Sequence, residues 1–121
     1  MEHEVRFDHE RLDVYRAGLG FVVQSNGLSG ALPTGFGYLA DQLRRAALSI
    51  TLNTAEGAGE FAPAEKTRFY RMARRSATEC AAILDVMREL AIGDPTAIED
   101  GLERLAKIVS MLIKLGKAHE R

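Results

Sequence analysis

The chain has 121 residues, of which 46% are hydrophobic and 27% are charged. This size suits one domain with one hydrophobic core, spanning residues 1–121. Its 16 basic and 17 acidic side chains leave a net charge of −1 at pH 7. Because the field of the whole molecule is weak, a nucleic acid or membrane partner needs a local patch of charge.

The start of the chain and its cysteine content favour a cytoplasmic protein without a membrane partner. The first six residues are mostly charged and no apolar run follows them, so we expect no signal peptide. No segment approaches the roughly 20 apolar residues of a membrane span. Cys80 is the single cysteine, so an internal disulfide and a zinc site with a second thiol are both excluded.

Three prolines separate four segments whose apolar residues recur at helical spacing. We predict helices over residues 8–26, with Asp8 as N-cap, over 35–57, over 63–92, and from the Asp94-Pro95 pair onward. Glycine-rich residues 27–33 should end the first helix. Short connections predict an all-α, antiparallel up-down four-helix bundle, with a three-helix arrangement as the alternative.

Each helix has a predicted core stripe. The inward residues are Leu12, Tyr15, Leu19, Val22 and Val23 in the first helix; Leu39, Leu43, Ala46, Ile50 and Thr54 in the second; Phe69, Met72, Ser76, Cys80, Ile83, Met87 and Leu90 in the third; and Ile98, Leu102, Leu105, Val109 and Leu112 in the fourth.

Further apolar residues lie on the opposite helix faces. In the second helix Leu48, Leu52 and Ala55 lie almost opposite the core stripe, and Val14 and Phe21 do so in the first. Scattered apolar residues occur on any surface. Because several helices share the feature, and a contiguous exposed patch usually marks an interface, we predict that Leu48, Leu52 and Ala55 form an apolar subunit interface.

A polar stripe follows the second helix at intervals of three and four residues. If the stripe lies at a subunit seam, its residues are half-buried. An arginine and a carboxylate in that position must be paired and hydrogen-bonded, because an unpaired buried charge is costly. We predict a polar interface network that fixes register and partner choice. A ligand pocket is the alternative, but the stripe lacks a nucleophile paired with a base. Its members are Gln42, Arg45, Ser49, Asn53 and Glu56.

The third helix begins with a basic run, since residues 66–75 include five basic side chains and no acidic one. At helical spacing Arg68, Arg71 and Arg75 form one stripe. Such a stripe is either a solvated face or a surface that binds nucleic-acid phosphates, and repetition around a ring of subunits would strengthen phosphate binding.

The sequence offers no catalytic residue, no metal ligand set and no cofactor site. The Glu-x-x-His pairs of di-iron bundles do not occur. We expect His3, His9 and His119 on the surface near the termini. Cys80 should pack as a small inert hydrophobe. Gly57 and Gly59 lack a phosphate-loop pattern.

A distinctive run of residues follows the second helix: Gln42-Leu43-Arg44-Arg45-Ala46, Ser49-Ile50 and Asn53-Thr54-Ala55-Glu56-Gly57-Ala58-Gly59. In this run the sequence resembles the proteins encoded in 23S rRNA intervening sequences, a family that also includes the accessory variability determinant of diversity-generating retroelements. The likeness covers about residues 7 to 90, and Glu60 departs from it where a basic residue is common.

The resemblance implies a homopentamer of four-helix bundles without catalytic activity, and for the retroelement members it implies binding of nucleic acid and reverse transcriptase. We therefore predict a non-enzymatic oligomeric scaffold or binding protein, whose partners are further copies of itself and RNA, DNA or a protein acting on them. The alternatives are a protein-interaction ring without nucleic acid and, with less support, a small-ligand or metal enzyme in the bundle core.

Overall fold

A computed structural model describes residues 4–120, so the expectation for His3 lies outside the described residues. A 3-10 helix, Asp8–Arg11, precedes four α-helices: α1 (Asp13–Gly30), α2 (Gly37–Gly59), α3 (Pro63–Glu89) and α4 (Pro95–Ala118). The predicted number and order of the helices are confirmed. Over residues 4–120, no helix has the length and apolarity needed to cross a membrane.

The four helices enclose one hydrophobic core. α1 packs against α2 and α4, and α3 packs against the same two helices, whereas diagonally opposed helices do not meet. Connections of six residues or fewer join neighbours, so consecutive helices run antiparallel. The all-α, antiparallel up-down four-helix bundle is therefore confirmed.

The turn between α3 and α4 ends one helix and begins the next with backbone hydrogen bonds. The N–H of Ile92 donates to the carbonyl of Met87, and the N–H of Ala91 donates to that of Arg88, each at 3.0 Å. This pair of bonds is a Schellman motif. Helix α3 therefore ends at Glu89 rather than near residue 92. Asp94 caps α4 as predicted, because its carboxylate accepts from the Thr96 N–H at 3.3 Å.

The predicted core stripe of α2 is confirmed. Leu39, Leu43, Ala46, Ile50 and Thr54 are all buried. Thr54 satisfies its hydroxyl within the helix, where it donates to the carbonyl of Ile50 at 2.7 Å. A hydroxyl bonded in this way can be buried without a desolvation penalty.

The predicted core stripe of α1 is confirmed only in part. Leu12 and Val22 pack against the core, but the helix is rotated relative to the prediction. Phe21 is fully buried and Val14 nearly so, whereas Leu19 and Val23 are exposed. The cause is the row of small residues at positions 18, 25 and 29, which are all buried. A Cβ at Gly18 would lie 3.2 Å from the Thr51 hydroxyl, so the small residues mark where α1 approaches α2.

The predicted ends of α1 also need correction. The helix begins at Asp13, because residues 8–11 form the separate 3-10 helix. It continues past residue 26 to Gly30, since Leu28 is buried in the core and the Ser29 hydroxyl donates to the carbonyl of Ala40 at 3.4 Å. Burial of the last turn outweighs the low helix propensity of its glycines.

Helices α3 and α4 keep part of their predicted stripes. Cys80, Ile83 and Met87 are buried in α3, as are Ile98, Leu105 and Leu112 in α4. The remaining predicted residues are half-buried, except Leu90, which is exposed. Both helices turn a wider face to the core than the predicted stripe, and the core also includes Tyr70, Ala73, Ala77 and Leu84 from α3 and Gly101 and Ile108 from α4.

Candidate functional site

The outward face of α2 carries two large exposed apolar side chains. Leu48 is 49% exposed and Leu52 is 55% exposed, while Ala55 on the same side is half-buried. Thr51 precedes Leu52 and lies against Gly18 of α1. This apolar face of α2 therefore borders the contact between α1 and α2.

Helix α1 adds two more exposed apolar residues, Leu19 and Val23, the latter 73% exposed. Ala17 lines a cleft shared with α4, and Gly18 lies against α2. At 100° per residue, Leu19 is therefore turned away from α4 and towards the outer side of α2.

The register of the two helices sets the height of Leu19 along the bundle. Gly18 lies beside Thr51, and Ser29 lies beside Ala40. In this antiparallel register, Leu19 falls between the heights of the two exposed leucines of α2. We call the shared surface the α1/α2 apolar surface; it comprises Leu19, Leu48, Leu52 and Ala55, whereas Val23 lines a cleft with residues of α4.

The polar stripe of α2 divides into an inner and an outer part. The inner part consists of Ser49 and Asn53. Within α2, the Asn53 amide donates to the Ser49 carbonyl at 3.0 Å and to the Ser49 hydroxyl at 2.9 Å. The Ser76 hydroxyl of α3 donates to the Ser49 hydroxyl at 2.8 Å. Ser49 and Asn53 therefore serve the contact between α2 and α3 within one chain.

The outer part consists of Gln42, Arg45 and Glu56, which are exposed. None of the three side chains makes a hydrogen bond or ion pair with the part of the chain that the structure describes, although Glu56 contributes to raising the pKa of Arg68. Arg45 and Glu56 are eleven residues apart, or about 16 Å along the helix axis, so they do not reach each other within one copy. Their pairing at a subunit seam stays a prediction.

Two members of the basic run have partners inside the chain. The Lys66 ammonium donates to the carbonyls of Gly57 and Ala58, at 3.3 and 2.9 Å, and so satisfies the end of α2. Arg68 forms a two-pronged ion pair with Glu65, at 3.2 and 3.3 Å, and lies over the Phe69 ring. The hydrogen bond and charge of Glu65 raise the pKa of Arg68 above its usual value.

The other three arginines of the run lie on two different surfaces. Arg71 and Arg74 line a cleft between α3 and α4, and Lys117 of α4 lines it too. Arg75 is exposed outside this cleft. The predicted stripe of Arg68, Arg71 and Arg75 is therefore divided by the fold: one member is ion-paired, one lines the cleft, and one faces solvent.

Cys80 is fully buried in the core. Burial raises the pKa of its thiol to about 12, and the charge of Glu79 adds to this shift. The thiol is therefore neutral at physiological pH, which makes it a poor nucleophile and a poor metal ligand.

The histidines inside the described region lie near the ends of the chain, at the same end of the bundle as Tyr70. His9 stacks on Phe7, with ring centroids 5.6 Å apart, and His119 lies 6.1 Å from the ring of Tyr70. Between residues 4 and 120, no three His, Cys, Asp or Glu side chains are grouped so that they could hold a metal ion.

The helical architecture and the motif of α2 agree with one protein family. The family model described as 23S rRNA-intervening sequence protein matches residues 10–114. No curated protein matches the chain. The match includes all of α1, α2 and α3 and most of α4. The chain therefore belongs to the 23S rRNA-intervening sequence protein family.

Proposed function

We propose that this protein is a non-enzymatic cytoplasmic scaffold that assembles with further copies of itself and binds nucleic acid. The observation that carries the proposal is the α1/α2 apolar surface, with two leucines of α2 about half exposed. Burial of such a leucine at an interface contributes about 1 kcal/mol. Self-association is the direct way to remove this surface from water.

The polar stripe supports the same assembly. Arg45 and Glu56 lie on the outside of α2 without a hydrogen-bond partner in the described chain, next to the exposed leucines. A second copy would supply opposite charges at the rim of the seam, which specifies how the copies are oriented. A closed ring of five is the arrangement that the family resemblance implies, and a ring requires a head-to-tail interface.

A matched pair of variants tests the assembly. Leu52→Glu puts a charge into the proposed seam, whereas Leu90→Glu changes a similarly exposed leucine, 47% against 55%, at the far end of α3. Light scattering should show loss of assembly for Leu52→Glu, because an unpaired charge is costly to bury. Leu90→Glu should assemble like the wild type. Equal masses for both variants would contradict the proposed seam.

The nucleic-acid part of the proposal rests on the family and on the basic residues of α3. The family description names 23S rRNA, and Arg71 and Arg74 have no ion pair with the described residues. With a net charge of −1 and Glu65 beside Arg68, we expect modest affinity that decreases as salt increases.

A protein-interaction ring is the second candidate, and the pairing of Lys66 and Arg68 inside the chain favours it. Fluorescence anisotropy with labelled single-stranded RNA and DNA at about 50 mM salt separates the two, since phosphate contacts are strongest at low salt. Binding supports the nucleic-acid scaffold. If neither RNA nor DNA binds, the result supports the protein-interaction ring without nucleic acid.

A further inference from the structure

The cleft between α3 and α4 brings together positive charges that are far apart in the sequence. Arg71 and Arg74 lie one turn apart on α3, and Lys117 faces them from the last turns of α4. Among the described lining residues, Glu120 is the one carboxylate. The antiparallel packing of α3 and α4 brings Lys117 to the basic run of α3, from which it is distant in the sequence.

The three cationic side chains have no partner among the described residues. None of them makes an ion pair or a side-chain hydrogen bond with residues 4–120. Elsewhere on the surface, four arginines are paired with carboxylates three residues away on the same helix, as in Arg16 with Asp13 and Arg88 with Asp85. Clefts lined by charge of one sign concentrate the electrostatic potential and attract counter-charges.

The size and chemistry of the cleft favour a phosphate group. Its volume is about 150 Å³, whereas pockets for drug-sized molecules begin at about 300 Å³. A guanidinium presents a planar fork of donors that matches phosphate oxygens, and an ammonium adds a mobile point charge. Phosphate groups therefore suit the cleft, whereas the sugars and bases attached to them would lie outside.

We propose that the α3/α4 cleft binds backbone phosphates of a nucleic-acid strand through Arg71, Arg74 and Lys117. The inference rests on the proposed nucleic-acid function and gives it a site. It assigns the contact to a groove formed by two helices rather than to the outer stripe, where Arg68 is already held by Glu65.

Two double variants with equal loss of charge test the site. Arg71→Ala with Lys117→Ala empties the cleft of two cations, and Arg68→Ala with Arg75→Ala removes two from outside it. Binding of a labelled single-stranded RNA to the full-length protein is measured across a salt series. The cleft variant should bind at least about tenfold more weakly and lose about 1.4 from the salt slope, which corresponds to two phosphate contacts.

The outer variant should keep nearly the wild-type affinity and slope. If the outer variant loses binding and the cleft variant does not, or if both lose it equally, the assignment to the cleft is overturned while the nucleic-acid function stands. If the wild type itself binds neither RNA nor DNA at low salt, the nucleic-acid function fails, and with it the ligand proposed here.

Gly116 provides an independent test that leaves the arginines in place. It lines the cleft, and a Cβ at this position would meet no atom within 4 Å. Gly116→Glu should therefore fold, which circular dichroism verifies, and should abolish RNA binding because its carboxylate competes for the cations. Gly116→Ala is the control and should bind normally. Wild-type affinity in a folded Gly116→Glu protein would overturn the proposal.

The chemical source of the phosphate is tested with two further ligands. A strand with neutral methylphosphonate linkages keeps the bases and removes the charge, so it should not bind; equal binding of this strand would overturn phosphate recognition. Inorganic phosphate is titrated at constant ionic strength. Saturable binding of inorganic phosphate to a protein that does not bind the strands would identify a free-phosphate site and overturn the nucleic-acid assignment.

Discussion

The two sides of the bundle differ in what they present to solvent. The side formed by α1 and α2 presents exposed aliphatic residues such as Leu48 and Leu52, whereas the side formed by α3 and α4 presents Arg71, Arg74 and Lys117. Both sides pack on the same core. One narrow stripe per helix is enough to hold a four-helix bundle, so the remaining faces are free to differ in chemistry.

The largest expected effect on stability comes from a substitution on the inner face of α1, compared with one on its outer face. Phe21→Ala removes a fully buried ring, so the free energy of unfolding should fall by about 3–5 kcal/mol. Leu19→Ala should cost about 1 kcal/mol or less, and its cost should depend on protein concentration because it acts through assembly. Urea unfolding at two concentrations measures both. A larger loss for Leu19→Ala would restore the stripe predicted from the sequence.

The contrast between α1 and α2 shows what the sequence can predict. In α2, the core stripe itself consists mainly of large aliphatic residues, so periodicity alone finds Leu43 and Ile50. In α1 the contact line is marked by Gly18 and Ser25, which a search for large apolar side chains overlooks. Close approach of two helices favours small residues, and that signal is recognisable once the neighbouring helix is known.

The candidate sites were predictable to different degrees. Leu48 and Leu52 follow from the angular pattern of a single helix, and the structure leaves both exposed. The cleft requires the pairing of α3 with α4, and nothing local to Lys117 indicates that it lies near Arg71. The internal partners of Lys66 and Arg68 were missed for a similar reason, since both depend on side chains or carbonyls just outside the basic run.

Reversal of charge sharpens the assignment of the polar stripe to a subunit seam. Arg45→Glu or Glu56→Arg alone should weaken assembly, since each places like charges together at the rim. The double variant restores opposite charges and should recover most of the assembly. The coupling free energy between the two residues in a double-mutant cycle should be about 1 kcal/mol or more. Sedimentation velocity provides the measurement. Additive losses in the double variant would argue that the two residues do not meet.

Cys80 provides a test of the shared core through pH. Its thiol pKa of about 12 lies above the usual 9.0, so the native state holds the proton more tightly than the unfolded state. The resulting stability is complete below about pH 9 and is lost as pH rises towards 12. At pH 8 a thiol reagent should therefore react slowly with native protein and quickly in denaturant. Rapid reaction in the native state would contradict burial of Cys80.

The smallest effect concerns a turn away from both surfaces. Ala91 has φ of +57° at the end of α3, a conformation that favours glycine. Ala91→Gly should stabilise the protein by about 0.5–1 kcal/mol and leave assembly and RNA binding unchanged. Thermal unfolding measures the gain, and a lower midpoint temperature would contradict the strained turn.

The central claim is that the α1/α2 apolar surface is an interface between copies of this chain. Light scattering coupled to size-exclusion chromatography of the wild-type protein at micromolar concentration tests it most directly. The account predicts one species with a mass several times the 13.3 kDa of the chain, and a whole-number multiple that does not change on moderate dilution. A monodisperse species of 13.3 kDa would contradict it.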